Sequence, residues 1–263
     1  MSDQDFRDMT YWKATRLNGT DFHTGTVDYA TALASGEPVT VAPDGGWDEG
    51  IAPPTGFPGP GWLHMATVPT ECVGMSWPCR LFEVEPDDDL GDHRPRGVYK
   101  VGATSVRVLR EIDAHVALGP QGVQVAAFVG RCATLTADDV RRLGAAQDAA
   151  RGVAWGVARD AAWSATWGAA WVATRSDTRV ATRSDTRGAA WGAAREAIWG
   201  TTPGAAQDAA RGVAWGVARG LLLRDLIGQH PGWDQDAYDL LTGPWRQTIG
   251  PIHPDDAPMA GAS

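Results

Sequence analysis

Hydrophobic and polar positions fall into three regimes along the chain. Up to about residue 133, short runs alternate or cluster as strands do: YWKATRL (11–17), PVTVA (38–42), WLHMATV (62–68), CRLFEVE (79–85) and TSVRVLREI (104–112). Asn18-Gly19, directly after the first run, is a hairpin-turn signal. Residues 26–34 and 120–132 predict helices, and EPDDDLGDHRPRG (85–97) a charged loop. The Gly/Pro-rich stretch 43–61 exceeds an ordinary connection, so it is expected to be a mobile or functional loop. From Gly144 to Arg219 the chain instead reads in fours, as in GAAQ DAAR GVAW GVAR. Beyond residue 228, a short helix from Asp234 to Leu241 is expected to end at Gly243-Pro244, followed by a Pro-punctuated extended tail.

The tetrapeptide carries most of the information. Every fourth position from Gln147 to Arg219 is Trp, Arg or Gln, with Pro203 the sole exception, and the middle positions are mostly Ala. GAAQDAARGVAWGVAR occurs identically at 144–159 and 204–219, and ATRSDTR at 173–179 and 181–187, as recent duplication of a short unit leaves behind. Ala, Arg and Gln favour helix, while each Gly costs about 1 kcal/mol relative to Ala. Thr136 with Asp139 three residues on predicts a capped start near Ala137. Helices are expected over 137–227, broken near 200–203, where Pro203 suits a first helical position. Gly228 and Pro231 are the stop signals. Four residues advance a helix by about 400°, so the Trp/Arg column drifts by roughly 40° per unit and forms no single apolar face. Trp and Arg four apart are neighbours, and Arg151–Trp155, Trp155–Arg159, Arg187–Trp191, Trp191–Arg195 and Arg211–Trp215 are candidates for cation–π stacking.

The expected fold class is therefore α+β. A disordered N-terminus (1–9) precedes a small mixed-sheet head domain (10–133). A broken Ala/Trp/Arg-rich helical arm (137–227) and a short helical and extended C-terminal segment (228–263) complete the chain. Val, Leu, Ile and Phe together number 47 of 263 residues, and only 7 of them lie in the repeat. The arm has Trp and Ala to bury instead. Seven of the 13 tryptophans lie in it: Trp155, Trp163, Trp167, Trp171, Trp191, Trp199 and Trp215. These are the candidate interaction residues, expected to pack on a paired helix, on the head or on another copy of the chain. The net charge of −9 argues against general nucleic-acid binding. The repeat holds 9 Arg against 5 Asp and 1 Glu, which leaves an acidic remainder able to attract it within or between molecules. The polar start, the three cysteines and the lack of a long apolar run lead us to expect a cytoplasmic protein with no membrane span.

The stretches YWKATRLNGTDFHTGTVDY (11–29), WPCRLFEVEP (77–86) and YDLLTGPWRQTIGPIHPDD (238–256) resemble a family of uncharacterised actinobacterial and actinophage proteins. That resemblance implies a small α+β domain, then Ala-rich DAAR/DAAW-type tetrapeptide runs and a closing LLTGPW segment. It implies no particular activity. Gly stands here in many units where the family pattern has Asp, which lowers the expected continuity of helix.

Candidate chemistry is sparse. His64, Cys72 and Cys79, with Cys132 as a possible fourth ligand, are the only set to weigh for a metal, but the two cysteines stand seven apart where zinc sites pair them at two to four. Buried thiols and a half-buried strand histidine are the preferred reading, so no metal and no cofactor are expected. Neither Cys72 nor Cys79 sits at a helix start in basic surroundings, which gives no sign of an activated nucleophile. GFPGPG (56–61) lacks the strand and helix that give a phosphate loop its mechanism. By fold analogy alone, an ADP-ribosyl-type transferase would use Lys13, Arg16, His64 and Glu83 or Glu85. The favoured expectation is a non-enzymatic binding or assembly protein, a homo-oligomer or a chain whose arm packs intramolecularly. The alternative is a nucleotide-using transferase with its pocket in the head.

Overall fold

The computed structural model describes residues 10–41, 62–72, 76–87, 100–150, 156–165 and 205–256. The expected disorder at 1–9, the loop 43–61, most of the charged loop 85–97 and the helix break near 200–203 lie outside the described residues. The fold is α+β, and the chain divides into two compact units, Met1–Ala117 and Leu118–Ser263. The first unit is therefore shorter than the expected head of 10–133, because the helix ending at Cys132 clusters with the second unit.

The first unit is a six-stranded sheet with one short helix against it. Its strands are β1 (Tyr11–Thr15), β2 (Val39–Thr40), β3 (Leu63–Ala66), β4 (Arg80–Pro86), β5 (Lys100–Ala103) and β6 (Ser105–Ile112), in the order β2-β6-β4-β1-β3-β5. Every pairing is antiparallel, so the sheet is not mixed as expected. Strand β5 was not legible in the sequence, being four residues with a glycine in the middle. Alternation puts Tyr11, Phe82, Val84, Leu63, Met65, Val101, Val106 and Val108 in one core with Tyr29 and Ala32 of α1 (Tyr29–Ser35). Asp28 caps α1 by accepting from the Thr31 N–H at 2.9 Å. Gly36, at φ 76°, closes the helix by donating to the Ala32 carbonyl.

Asn18-Gly19 does make a turn, with the Gly19 N–H bonded to the Arg16 carbonyl at 2.9 Å, but it joins no hairpin. Strand β1 pairs with β3 and β4 instead, because both flanks of β1 are taken by strands from later in the chain. Gly19 is required here on two counts. Its φ is +88°, and a Cβ would stand 2.3 Å from the Cβ of Ala30.

The second unit is helical: α2 (Gly122–Cys132), α3 (Ala137–Ala150), α4 (156–165), α5 (Ala205–Leu222) and α6 (Gln235–Thr248), with a 3-10 turn at Arg224–Leu226. The capping box at the start of α3 forms as expected, Asp139 N–H to Thr136 Oγ1 at 3.1 Å and Thr136 N–H to Asp139 Oδ2 at 2.9 Å. Helix α5 stops at Leu222, short of the expected Ile227, and the chain reverses at Gly228 with φ 77°. Trp233, fully buried, seals that reversal by donating from Nε1 to the Leu223 carbonyl at 2.9 Å.

Helix α6 corrects the expected stop at Gly243-Pro244, since it runs on to Thr248 with Pro244 inside it. An interior proline costs about 3 kcal/mol. Against that, Tyr238, Leu241 and Trp245 recur at helical spacing and are all buried, at roughly 1.5–3 kcal/mol each. Trp245 lies edge-on to Phe128 of α2 at 4.8 Å, and the Arg131 guanidinium covers its ring at 5.7 Å. Tertiary packing outweighs the local breaker. Among the described residues no helix is long and apolar enough to cross a membrane.

Candidate interaction site

The tetrapeptide becomes a packing code in the second unit. Helix α5 is buried on nearly every side: Ala210, Val213, Ala214, Val217, Ala218 and Leu221 are all in the core. The drift of a period-four pattern, which denies the helix one apolar face, suits a central helix with neighbours all round. The first-position glycines show how. A Cβ on Gly212 would stand 2.4 Å from Gln147 Nε2 of α3. One on Gly216 would stand 2.9 Å from the Leu241 carbonyl oxygen of α6, and one on Gly220 2.9 Å from Thr242 Cγ2 of the same helix. The glycine column therefore begins against α3 and ends against α6, and at Gly216 it admits a backbone carbonyl that a side chain would exclude.

The fourth-position residues meet between α4 and α5. Arg219, 5% exposed, lies with its guanidinium 4.9 Å from the ring of Trp163 and 4.9 Å from that of Trp215. Its Nη2 donates to the Ala162 carbonyl at 3.1 Å, which fixes the fork between the two indoles. Trp215 is thus partnered by the arginine four residues after it, while the side chain of Arg211 lies outside the described residues. Stacking of a largely desolvated guanidinium contributes on the order of 1–2 kcal/mol. Of the repeat tryptophans whose side chains are described, Trp215 is half-buried and Trp163 is 51% exposed. Trp155, Trp167, Trp171, Trp191 and Trp199 lie outside the residues whose side chains are described.

Several positions of the two identical copies stand in different environments, although Ala158 and its twin Ala218 are both buried. Val217 is fully buried while its twin Val157 is 62% exposed. Gly216 abuts the Leu241 carbonyl, yet among the described residues nothing stands within 4 Å of a Cβ on its twin Gly156. Arg219 is sandwiched, and its twin Arg159 pairs with Asp160 at 3.2 Å on the surface. One sequence, two fates: the difference lies wholly in what surrounds it.

A second cluster escaped the sequence reading. Asp256, whose side chain is almost fully buried, accepts from the Ile252 and His253 N–H groups at 3.0 Å each and from Tyr238 Oη at 3.0 Å. Arg224 reaches it at 3.4 Å and Arg246 at 3.6 Å. Arg224 also lies over the Tyr238 ring at 4.8 Å, and Arg246 pairs with Asp239. The Asp255 N–H donates to His253 Nδ1, so the neutral ring carries its proton on Nε2, directed at Gln121 Oε1 at 3.1 Å. Burial, then the charge of Arg224, pushes the His253 pKa down against the pull of Asp255, Asp256 and Asp225. This arrangement pins the C-terminal segment to α6 and to the 3-10 turn that follows α5. The only signal for it was the charged, aromatic spacing of YDLLTGPWRQTIGPIHPDD, which composition alone does not decode.

The head candidates do not converge. His64 lies half-buried on β3 opposite Gly102, in the position expected of a strand histidine. Trp12 pairs with Ala66 on one side and Glu83 on the other, so Glu83 stands two strands away from β3, roughly 10 Å. Glu83 is held bidentately by Arg110 at 2.5 and 2.7 Å, and Glu85 stands 3.6 Å from Arg107. Lys13 lies over the Tyr29 ring at 5.3 Å, and Arg16 donates to the Phe22 carbonyl at 2.9 Å. Cys72, Cys79 and Cys132 are buried, and burial pushes each thiol up to about 12, which suits neither a thiolate ligand nor a nucleophile. Cys132 belongs to the other unit. Among the described residues no group of three His, Cys, Asp or Glu side chains is placed to hold a metal ion. An open groove of about 510 Å³ beside α1 is bordered by Asp28, Thr31, Ser35, Glu37, Val39 and Thr40. Asp28 caps the helix there, and among the described residues no cation lines the groove.

Set beside protein-family models, curated proteins and solved structures, the chain matches none.

Proposed function

We propose that this chain is a non-enzymatic binding and assembly protein whose Trp/Arg/Gly tetrapeptide helices are its packing and self-association element. The observation that carries this is the stack of Trp163, Arg219 and Trp215, in which the repeat's signature residues bind one another across two helices. Trp163 is 51% exposed, and an exposed indole suits contact with a second copy of the chain. The repeat's excess of arginine over acid, beside an acidic remainder, favours the same kind of contact. Sedimentation velocity across a wide range of concentration tests it. The full chain is expected to sediment above single-chain mass as concentration rises, and Trp163→Ser to shift that transition to higher concentration. A chain that stays monomeric throughout would sink the assembly reading.

A further inference from the structure

The packing of α3 on α5 is a contact between two identical sequences. The 16-residue segment GAAQDAARGVAWGVAR stands at 144–159 and again at 204–219. The first copy supplies the second half of α3, from Gly144 to Ala150, and the second copy nearly all of α5. They meet where Gln147, 1% exposed, lies against Gly212 so closely that a Cβ there would stand 2.4 Å from its Nε2. Leu143 of α3 and Ala210, Val213 and Ala214 of α5 are also buried, and the two helices pack on each other.

From this homotypic contact we infer that the duplicated segment is a self-recognition element, and that the partner it takes in a second molecule is the opposite copy of itself. In the exchanged species, 204–219 of one chain lies against α3 of another and makes the contacts now made within one chain. The inference rests on the proposed packing role of the repeat and names its partner. Every contact is conserved on exchange, so concentration decides the outcome. Within a chain the two copies face each other at an effective concentration on the order of millimolar. Helix α5 is also the centre of its unit and must leave the core before it can be exchanged. Exchange therefore belongs to chains that fold together at high concentration. It does not occur when folded chains are mixed.

The test uses full-length chains carrying two different affinity tags, unfolded and refolded together at high concentration. After dilution below the concentration at which folded chains associate, capture of one tag is expected to bring the other, and mixing after folding is expected not to. Tagged chains bearing Gln147→Cys and Gly212→Cys separately then locate the contact. A disulfide joining 147 to 212 between chains, told from Cys72, Cys79 and Cys132 by peptide mapping, is the expected result. The double variant Gln147→Cys/Gly212→Cys in one chain separates the two levels of the account. If it crosslinks internally but no mixed species forms, segment exchange is overturned and the packing within the chain stands. If mixed species form without the 147–212 link, exchange is likewise overturned. If the double variant does not crosslink at all, α3 does not pack on α5 as described, and both fall.

Discussion

Gly156 and Gly216 hold the same place in identical sequences, so replacing each by alanine isolates what the surroundings contribute. In a helix interior the change removes the backbone-entropy cost of glycine, a gain of roughly 0.5–1 kcal/mol. At Gly156 no atom of the described residues stands within 4 Å of the new methyl, so the gain is kept. At Gly216 the methyl would stand 2.9 Å from the Leu241 carbonyl oxygen and 3.6 Å from its carbon. That neighbour is backbone, and it cannot rotate aside. Relief requires α6 to move as a body, together with the buried Tyr238 and Trp245 it carries. Overpacking of this kind costs roughly 1–3 kcal/mol, so the two variants should differ by about that amount in opposite directions. Urea denaturation followed by circular dichroism measures it: the midpoint rises for Gly156→Ala and falls for Gly216→Ala. Equal shifts at both sites would refute the claim that the glycine column exists to admit α6.

Two further outcomes follow from the polar clusters. Burial pushes Asp21 up, but bonds from the Thr24 N–H and hydroxyl and the Val27 N–H, with the charge of Lys13, hold its pKa at about 2, below the ordinary 3.8. A carboxylate lowered in this way adds stability that is complete above about pH 4 and is lost as pH falls through about 2. Asp21→Asn is therefore expected to be less stable at neutral pH by on the order of 1–2 kcal/mol, with the two melting curves converging near pH 2; a gap that persists into strong acid would contradict this. Asp256→Asn leaves Arg224 and Arg246 without the carboxylate they share, which should cost roughly 3 kcal/mol and expose the C-terminal segment to limited proteolysis. Unchanged melting and cleavage would show that the cluster does not hold the tail.

What could be read from the sequence divides by range. Signals that act within a turn or two were legible: the Thr136–Asp139 capping box and the alternation of β4 and β6. Signals that conflict with a distant partner were not. Gly243-Pro244 reads as a terminator because proline breaks an isolated helix. It does not end α6, because Trp245 and Tyr238 have a core to enter. Asn18-Gly19 reads as a hairpin because such turns join neighbouring strands, and the neighbours of β1 come from residues 63–86. The repeat's composition announced a packing role for Trp and Arg. It could not say that Arg219 would be enclosed while Arg159 stays on the surface, since the two lie in the same sixteen residues. Asp256 was invisible for the opposite reason: an acidic residue in a Pro-rich tail looks like solvated chain until Arg224, Arg246 and Tyr238 are brought to it.

The central claim is that the tetrapeptide's Trp and Arg residues bind each other across helices, and a double-mutant cycle between Trp163 and Arg219 measures that directly. Trp163→Leu, Arg219→Met and the double variant are compared with the parent chain by denaturant unfolding. With the guanidinium 4.9 Å from the Trp163 ring and only 5% of Arg219 exposed, the account predicts a coupling energy of about 1–2 kcal/mol favouring the pair. Strictly additive losses, with coupling no larger than a few tenths of a kcal/mol, would mean that the two side chains do not recognise each other.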